Sequence, residues 1–333
     1  MVTVTVTVTV RTNDDAVDAA VGALQAGGLV ALPTETVYGL AADAADAAAL
    51  ARLFAVKGRP AHHPVIVHLA DVAAMDGWAE QVPRWARTLA AQLWPGPLTL
   101  IVPRASTVLD AVTGGQDTVG LRVPAHPLTL AVLEGFGSGV AAPSANRYGQ
   151  VSPTTAEHVV AGLGTYLDET RDLVVDGGPC RVGVESTIVG AWDDNPRLLR
   201  PGAVTVERIS ELTGLPVIAE TAGVRAPGST ASHYAPRVPL YAVEREDAAQ
   251  LLASHQGSRI GLIAPADLDI ELDDSHVRLA APHTDDEYAH ALYSSLRHAD
   301  EEGVDLVVAV LPGKTGVGRA IRDRLTRAAQ VMT

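Results

Sequence analysis

One cysteine, Cys180, stands in 333 residues. It excludes an internal disulfide framework and a thiolate-rich metal site. Lysine is almost as scarce: Lys57 and Lys314 are the only two, and the rest of the positive charge is arginine. Positive charge is itself short, 25 Lys and Arg against 39 Asp and Glu, for a formal charge of −14. That balance argues against a chain whose main task is to hold nucleic acid through phosphates, though a local basic pocket is compatible with it. No charged segment leads into the apolar core of a secretion signal, and no apolar run is long enough to span a bilayer. A cytoplasmic enzyme without a membrane partner is the expectation. His62, His63 and His68 fit no tetrahedral ligand spacing and have no Cys or acid beside them, so no protein-held metal is expected. A Gly-x-Ser-x-Gly nucleophile elbow and a Cys/His pair are missing too.

What is present is enough apolar material, 47% of residues, for one large or two ordinary domains. The organising stretch runs from Gly27 to Leu40. It opens as a buried strand, Leu29 to Leu32, behind a Gly-Gly turn. Pro33 ends the strand because it has no N–H for a ladder. Thr34, Glu35 and Thr36 follow, then Tyr38 and Gly39. A strand that stops and presents hydroxyls and a carboxylate at its end is where open α/β sheets place ligands. Met1 to Val10, strictly alternating Val and Thr, reads as an edge strand or a tail.

Helices are expected over 14–25, 44–55 and 85–94, and strands over 64–69, 98–102 and 117–124. Between the second helix and the next strand, Lys57 and Arg59 flank Gly58 and are followed by Pro60. Two cations on a Gly/Pro loop outside a helix suit a polyphosphate. Arg122 sits inside an apolar run and needs an anionic partner, either a structural acid or a substrate carboxylate held bidentately. Gly139 to Asn146 repeats the opening design: strand, proline, then Ser144 and Asn146. Ser152 reads as the cap of a helix. Glu185, Ser186 and Thr187 begin a further strand, Leu199-Arg200-Pro201-Gly202 follows it, and a helix covers 206–212.

Residues 221–239 are rich in Gly, Pro, Ala and Ser and read as a linker. His233-Tyr234 between two prolines suggests that it docks. From Leu240 strands and helices alternate, which implies a small domain with a parallel sheet. Gly313-Lys314-Thr315 lies between a strand and a helix there, but position 308 is Val308, so the phosphate-loop pattern fails.

The functional side chains are thus Thr, Ser, Asn, Arg, Lys and His on several strand ends and loops. Such a set positions two substrates and stabilises charge on a phosphate. Six ordered motifs carry a resemblance: Leu32 to Leu40, Lys57-Gly58-Arg59-Pro60, Trp94-Pro95-Gly96-Pro97-Leu98-Thr99, Ala142 to Asn146, Gly183 to Ile188, and Leu199 to Gly202. Together they closely resemble the YrdC-type threonylcarbamoyl-AMP synthases, over residues 13–212. His233-Tyr234-Ala235-Pro236 and the trailing domain are similar to the long, two-domain form of that family. The implied fold is α/β: a twisted mixed sheet with surrounding helices and a central cavity, plus a smaller, Rossmann-like C-terminal α/β domain. The implied division is an N-terminal strand or tail at 1–12, a YrdC-like catalytic domain at 13–212, a linker or lid at 213–239, and a C-terminal domain at 240–333.

The resemblance implies a nucleotidyltransferase that joins L-threonine, bicarbonate or CO2, and ATP into L-threonylcarbamoyladenylate and pyrophosphate. The product would pass to the machinery that modifies adenosine in tRNA. Lys57 and Arg59 would be catalytic and neutralise charge at the phosphates. Thr36, His68, Arg122 and Ser186 would hold threonine, with Arg122 on its carboxylate. ATP would meet Lys57, Arg59, His63, Thr118, Ser144, Asn146, Ser152, Arg200 and Tyr234. Mg²⁺ is expected to arrive on the nucleotide, with no protein ligand. Ser229 to Ser232 are small and uncharged where the family usually carries Met and basic or aromatic residues, so any lid grips differently here. The alternative is an RNA-binding or ribosome-associated protein without turnover, which the −14 charge disfavours.

Overall fold

A computed structural model describes residues 9–12, 15–219, 225–228, 234–270, 272 and 276–329. The first unit is built on β1 (Thr9–Arg11), α1 (Asp15–Gln25), β2 (Val30–Leu32), β3 (Gly39–Asp43), α2 (Ala47–Lys57), β4 (Ile66–His68), α3 (Arg84–Leu93) and β5 (Leu98–Pro103). It continues through α4 (Asp110–Thr113), β6 (Thr118–Arg122), α5 (Pro127–Phe136), β7 (Val140–Ala141), α6 (Ala156–Leu163) and β8 (Leu173–Val175). It closes with β9 (Thr187–Gly190), β10 (Arg197–Arg200), α7 (Val206–Thr213) and β11 (Ile218–Ala219). The strands form one 11-stranded mixed sheet in the order β1-β8-β2-β3-β7-β4-β6-β5-β9-β10-β11.

Period-two alternation explains why both faces of the sheet are covered. Leu29 and Ala31 pack with α2 and α6, through Ala49, Leu53, Val159 and Leu163. Val30 and Leu32 point the other way, onto Ala16, Ala20 and Leu24 of α1 and Val132 and Leu133 of α5. A third cluster joins β5, β6 and α3, with Leu89, Leu98, Leu100 and Leu121 at its centre.

The second unit comprises β12 (Leu240–Val243), α8 (Ala248–Ser254), β13 (Ile260–Ile263), β14 (Val277–Ala280), α9 (Asp285–Glu302), β15 (Leu306–Val310) and α10 (Gly318–Ala328). Its four strands run in the order β12-β15-β13-β14, all pairs parallel. Its core does not stop at its own boundary. Leu292, Tyr293, Leu296, Ile321 and Leu325 pack in one cluster with Val37, Val151 and Val184 of the first unit and with Tyr234.

The structure refines the sequence expectations. After Pro33 the chain turns back and returns as β3, antiparallel to β2. Two apolar runs not singled out in the sequence are also elements, α5 and β14. Ser152 does not cap α6: the N-cap is Thr155, whose hydroxyl accepts from the His158 N–H. β11 pairs with β10, so the large sheet continues past residue 212, and β1 ties residues 9–11 to β8. The described residues of the linker, 225–228 and 234–239, contain no helix or strand. Positions 1–8 of the Val/Thr run, 229–232 and His233 lie outside the described residues.

Candidate active site

A small cavity of about 50 Å³ opens where strand ends meet under the linker. Its wall is assembled from the β2–β3 turn (Thr34, Thr36, Gly39), the ends of β4 and β6 (His68, Arg122), and the segment after β7 (Ser144). The start of β9 (Glu185, Ser186), the end of β10 (Arg200), Arg59, and the linker residues Pro227, Gly228 and Tyr234 complete it. Of the expected site residues, Thr36, Arg59, His68, Arg122, Ser144, Ser186, Arg200 and Tyr234 are brought together here.

His68 and Arg122 are register partners on the neighbouring parallel strands β4 and β6. Ordinary sheet geometry therefore delivers both side chains to one place. The anionic partner of Arg122 is Glu35: Nη2 lies 2.7 Å from Oε1, and both side chains are buried. The distance makes an ion pair, but the angles do not make a directed hydrogen bond, so Arg122 Nε and Nη2 have no aligned acceptor. Glu35 Oε2 also accepts the Ala125 N–H at 2.9 Å. Burial, and then the charge of Arg122, push His68 down to about 3. Its imidazole is neutral at physiological pH.

Thr34 organises the turn. Its hydroxyl donates to the Val37 carbonyl at 2.6 Å and lies 2.9 Å from the Thr36 hydroxyl. It also accepts the Thr36 and Val37 N–H groups.

The two cations of the expected phosphate loop separate. Arg59 lines the cavity, with Nη2 on the Pro64 carbonyl at 2.7 Å and its guanidinium 5.7 Å from the Tyr148 ring centroid. Burial lowers it to about 10, so it stays charged at neutral pH. Lys57 is the last residue of α2, not a loop residue, and it is wholly buried. Its Nζ donates to the carbonyls of Ser144 and Asn146. Burial, then repulsion from Arg59 and Arg147, hold it well below the usual lysine range. Gly58 makes this divergence possible: it takes φ +61° to end the helix, and a Cβ there would lie 2.7 Å from the Arg147 guanidinium.

Four other expected residues lie behind the wall or beyond it. Asn146 is buried, and its Nδ2 donates to the carbonyls of Arg147 and Gln150. His63 Nδ1 is 3.0 Å from the Tyr148 hydroxyl, one layer behind Arg59. Partial burial lowers its pKa. Thr118 begins β6, at the opposite end of that strand from Arg122, roughly 13 Å away at the usual rise per residue. Ser152 donates its hydroxyl to Glu185 Oε1 at 2.7 Å.

On the far wall, Arg200 is a bridge. Its Nε and Nη2 hold the Ser186 carbonyl at 3.1 and 2.9 Å, and Nη1 holds the Pro227 carbonyl at 3.0 Å. Ser186 Oγ is 2.8 Å from Thr99 Oγ1. The linker is pinned at its other side by Gln116, which exchanges two hydrogen bonds with the Arg225 backbone at 3.0 and 2.8 Å. Sequence reasoning placed Glu35 at the ligand-facing strand end but gave it no partner, and gave Glu185 and Pro227 no site role. Glu35 was signalled by its place between two threonines and by the need of Arg122 for an anion; no local pattern pointed to the other two.

A family model described as "Telomere recombination" (Sua5, YciO, YrdC) matches residues 22–202. A second, described as "Threonylcarbamoyl-AMP synthase, C-terminal domain", matches residues 204–330. The chain is 37% identical to the threonylcarbamoyl-AMP synthase of Pyrococcus abyssi, over 98% of each chain. It is 39% identical to that of Bacillus subtilis, over 98% of this chain and 96% of the relative. The crystal structure of P. abyssi Sua5 complexed with L-threonine superposes with a TM-score of 0.87 at 36% identity, covering 96% of both chains.

Proposed function

The chain belongs to the two-domain Sua5/YrdC threonylcarbamoyl-AMP synthase family, and we propose on that footing that its cavity joins L-threonine, bicarbonate or CO2, and ATP. The products are L-threonylcarbamoyladenylate and pyrophosphate, and the adenylate serves the threonylcarbamoyl modification of tRNA. The observation that carries this reading is the clustering of three buried arginines, Arg59, Arg122 and Arg200, with the hydroxyls of Thr36, Ser144 and Ser186 around one cavity. A carboxylate and a polyphosphate are the ligands that reward such burial of cations.

Arg122 is our choice for the threonine carboxylate. Its Nε and Nη2 lack an aligned acceptor, and a carboxylate fork supplies two. His68 is neutral and too weakly basic to strip an ammonium proton, so its role is to orient the amino acid. The threonine nitrogen, once deprotonated, attacks CO2 to form a carbamate. A carbamate oxygen then attacks the α-phosphorus, and the bond to the departing pyrophosphate breaks in line. Arg59 and Arg200, both fixed by backbone carbonyls, meet the phosphate charge without reorganising. Lys57 acts one layer behind them: it holds the Ser144–Asn146 segment by two carbonyls and so sets where Ser144 presents its hydroxyl.

One carboxylate lines the cavity, Glu185, and it is engaged by Arg324; Glu35, which does not line it, is engaged by Arg122. We therefore keep Mg²⁺ as a companion of the nucleotide, where it would supply charge neutralisation at the phosphates. Among the described residues no helix is long and apolar enough to cross a membrane. The cytoplasm and the tRNA threonylcarbamoyl-transfer machinery are the proposed setting and partner.

The test is incubation with ATP, bicarbonate and each amino acid in turn, with pyrophosphate as readout. Release that depends on threonine supports the reading. Release with every amino acid alike, or with none, removes it.

A further inference from the structure

Glu185 belongs to the first unit, where Ser152 donates to its Oε1, but the donors to its Oε2 come from the second. Arg324 Nε, on α10, donates to its Oε2 at 2.8 Å, and the Tyr293 hydroxyl, on α9, donates to the same oxygen at 2.8 Å. Arg324 Nη2 also reaches the Glu185 carbonyl at 3.4 Å. The side chain of Arg324 is 0% exposed and that of Glu185 8%. Burial alone would raise the carboxyl; the charges of Arg324 and Arg200 overcome it and hold it at about 2.

The neighbours of Glu185 are the cavity wall. Ser186 follows it directly, and Arg200 is clamped on the Ser186 carbonyl. The Tyr234 ring stacks on Tyr293 with centroids 5.7 Å apart and lies 5.4 Å from the Arg324 guanidinium. The backbones of the two units touch just before this point. Gly183 adopts φ +84°, and a Cβ there would sit 2.4 Å from the Ala289 carbonyl oxygen of α9.

A buried ion pair between two units is weak evidence for added stability, and fixing register is its best-attested use. We propose that Arg324 and Tyr293 are positioning residues, which grip Glu185 and so hold Ser186, Arg200 and Tyr234 at the wall of the cavity. The C-terminal unit then completes the threonine and nucleotide site without touching either substrate. This inference rests on the proposed function of that cavity.

The full chain is compared with Tyr293→Phe, Arg324→Gln, and the neutral pair Glu185→Gln/Arg324→Gln. Tyr293→Phe removes one hydroxyl and is the variant least able to disturb folding. Each single variant is expected to raise the KM for both ATP and threonine about fivefold to tenfold, more than it lowers kcat. The neutral pair should recover part of the Arg324→Gln loss, because Glu185 no longer stands as a buried charge without its guanidinium, while Asp323 keeps only Arg327 as a partner. A purely structural role would shrink the folded fraction and the apparent kcat while leaving both KM values alone; that outcome overturns the proposal. Should the wild-type chain release no threonine-dependent pyrophosphate, the functional reading fails instead. Amide exchange of residues 184–187 in the ligand-free protein then decides: faster exchange in Arg324→Gln supports the grip, and unchanged exchange overturns it.

Discussion

Arg122 and Glu35 are buried partners, with Nη2 and Oε1 2.7 Å apart, and Arg122 lines the cavity. Glu35 lowers the cost of keeping a guanidinium out of water, while Arg122 Nε and Nη2 are buried without an aligned acceptor. Arg122→Lys keeps the charge and loses the fork. The KM for threonine should rise on the order of tenfold or more, with that for ATP nearly unchanged. Steady-state kinetics in threonine at saturating ATP check this, and an unaltered threonine KM would take Arg122 out of the amino-acid subsite.

Lys57 supports rather than contacts in this structure. Lys57→Met keeps the stem and removes the ammonium that donates to the carbonyls of Ser144 and Asn146. We expect kcat/KM to fall on the order of 10²-fold, together with faster amide exchange across 144–147. Loss of activity with exchange identical to wild type would instead point to a direct phosphate contact.

The pH dependence of stability carries a signature of His68. Its pKa falls from an ordinary 6.5 to about 3 on folding, because of burial and then Arg122. Between those values the unfolded chain binds a proton that the folded chain does not, so stability rises with pH through the window and is lost as pH falls below about 6.5. His158, lowered to about 4 chiefly by burial, adds with the same sign. His68→Asn should flatten the profile between pH 6.5 and 5, where few carboxylates titrate. Urea midpoints at stepped pH values measure it; equal slopes for variant and wild type would contradict the assignment.

The reassigned helix cap is separable from the site. Thr155→Ala removes the acceptor for the His158 N–H and should cost about 1 kcal/mol of stability, with threonine and ATP KM values unmoved. Ser152→Ala removes a donor to Glu185, so its effect should appear in KM. Chemical denaturation alongside kinetics tells the two apart.

The fold was largely legible because buried strands announced themselves. Runs such as 29–32 and 98–102, ended by prolines, carry the apolar signal of a sheet covered on both faces. What escaped was pairing. Nothing local distinguishes a turn into β3 from a turn into a helix after Pro33, since Gly39 to Ala42 has neither clear alternation nor helical period. The Ser152 assignment failed for a similar reason: Ser152 and Thr155 both suit a cap, and only the demand of Glu185 for a donor, 33 residues away, separates them.

Within the site, strand-end residues were readable and their supports were not. His68 and Arg122 follow from two parallel strands ending together. The burial of Lys57 depends on where the 144–146 carbonyls fall, which is a tertiary fact. Glu185 was the least legible, because its counter-ion stands 139 residues later in the chain.

That separation bears on how the molecule is made. During synthesis the large sheet can emerge and collapse while α10 is still unwritten, and through that interval the Glu185 carboxylate lacks the guanidinium and hydroxyl that grip it in the finished fold. The nascent first unit would have to keep this corner wet and open. Assembly of the catalytic hollow would then be among the last events of folding, timed by the arrival of a single helix.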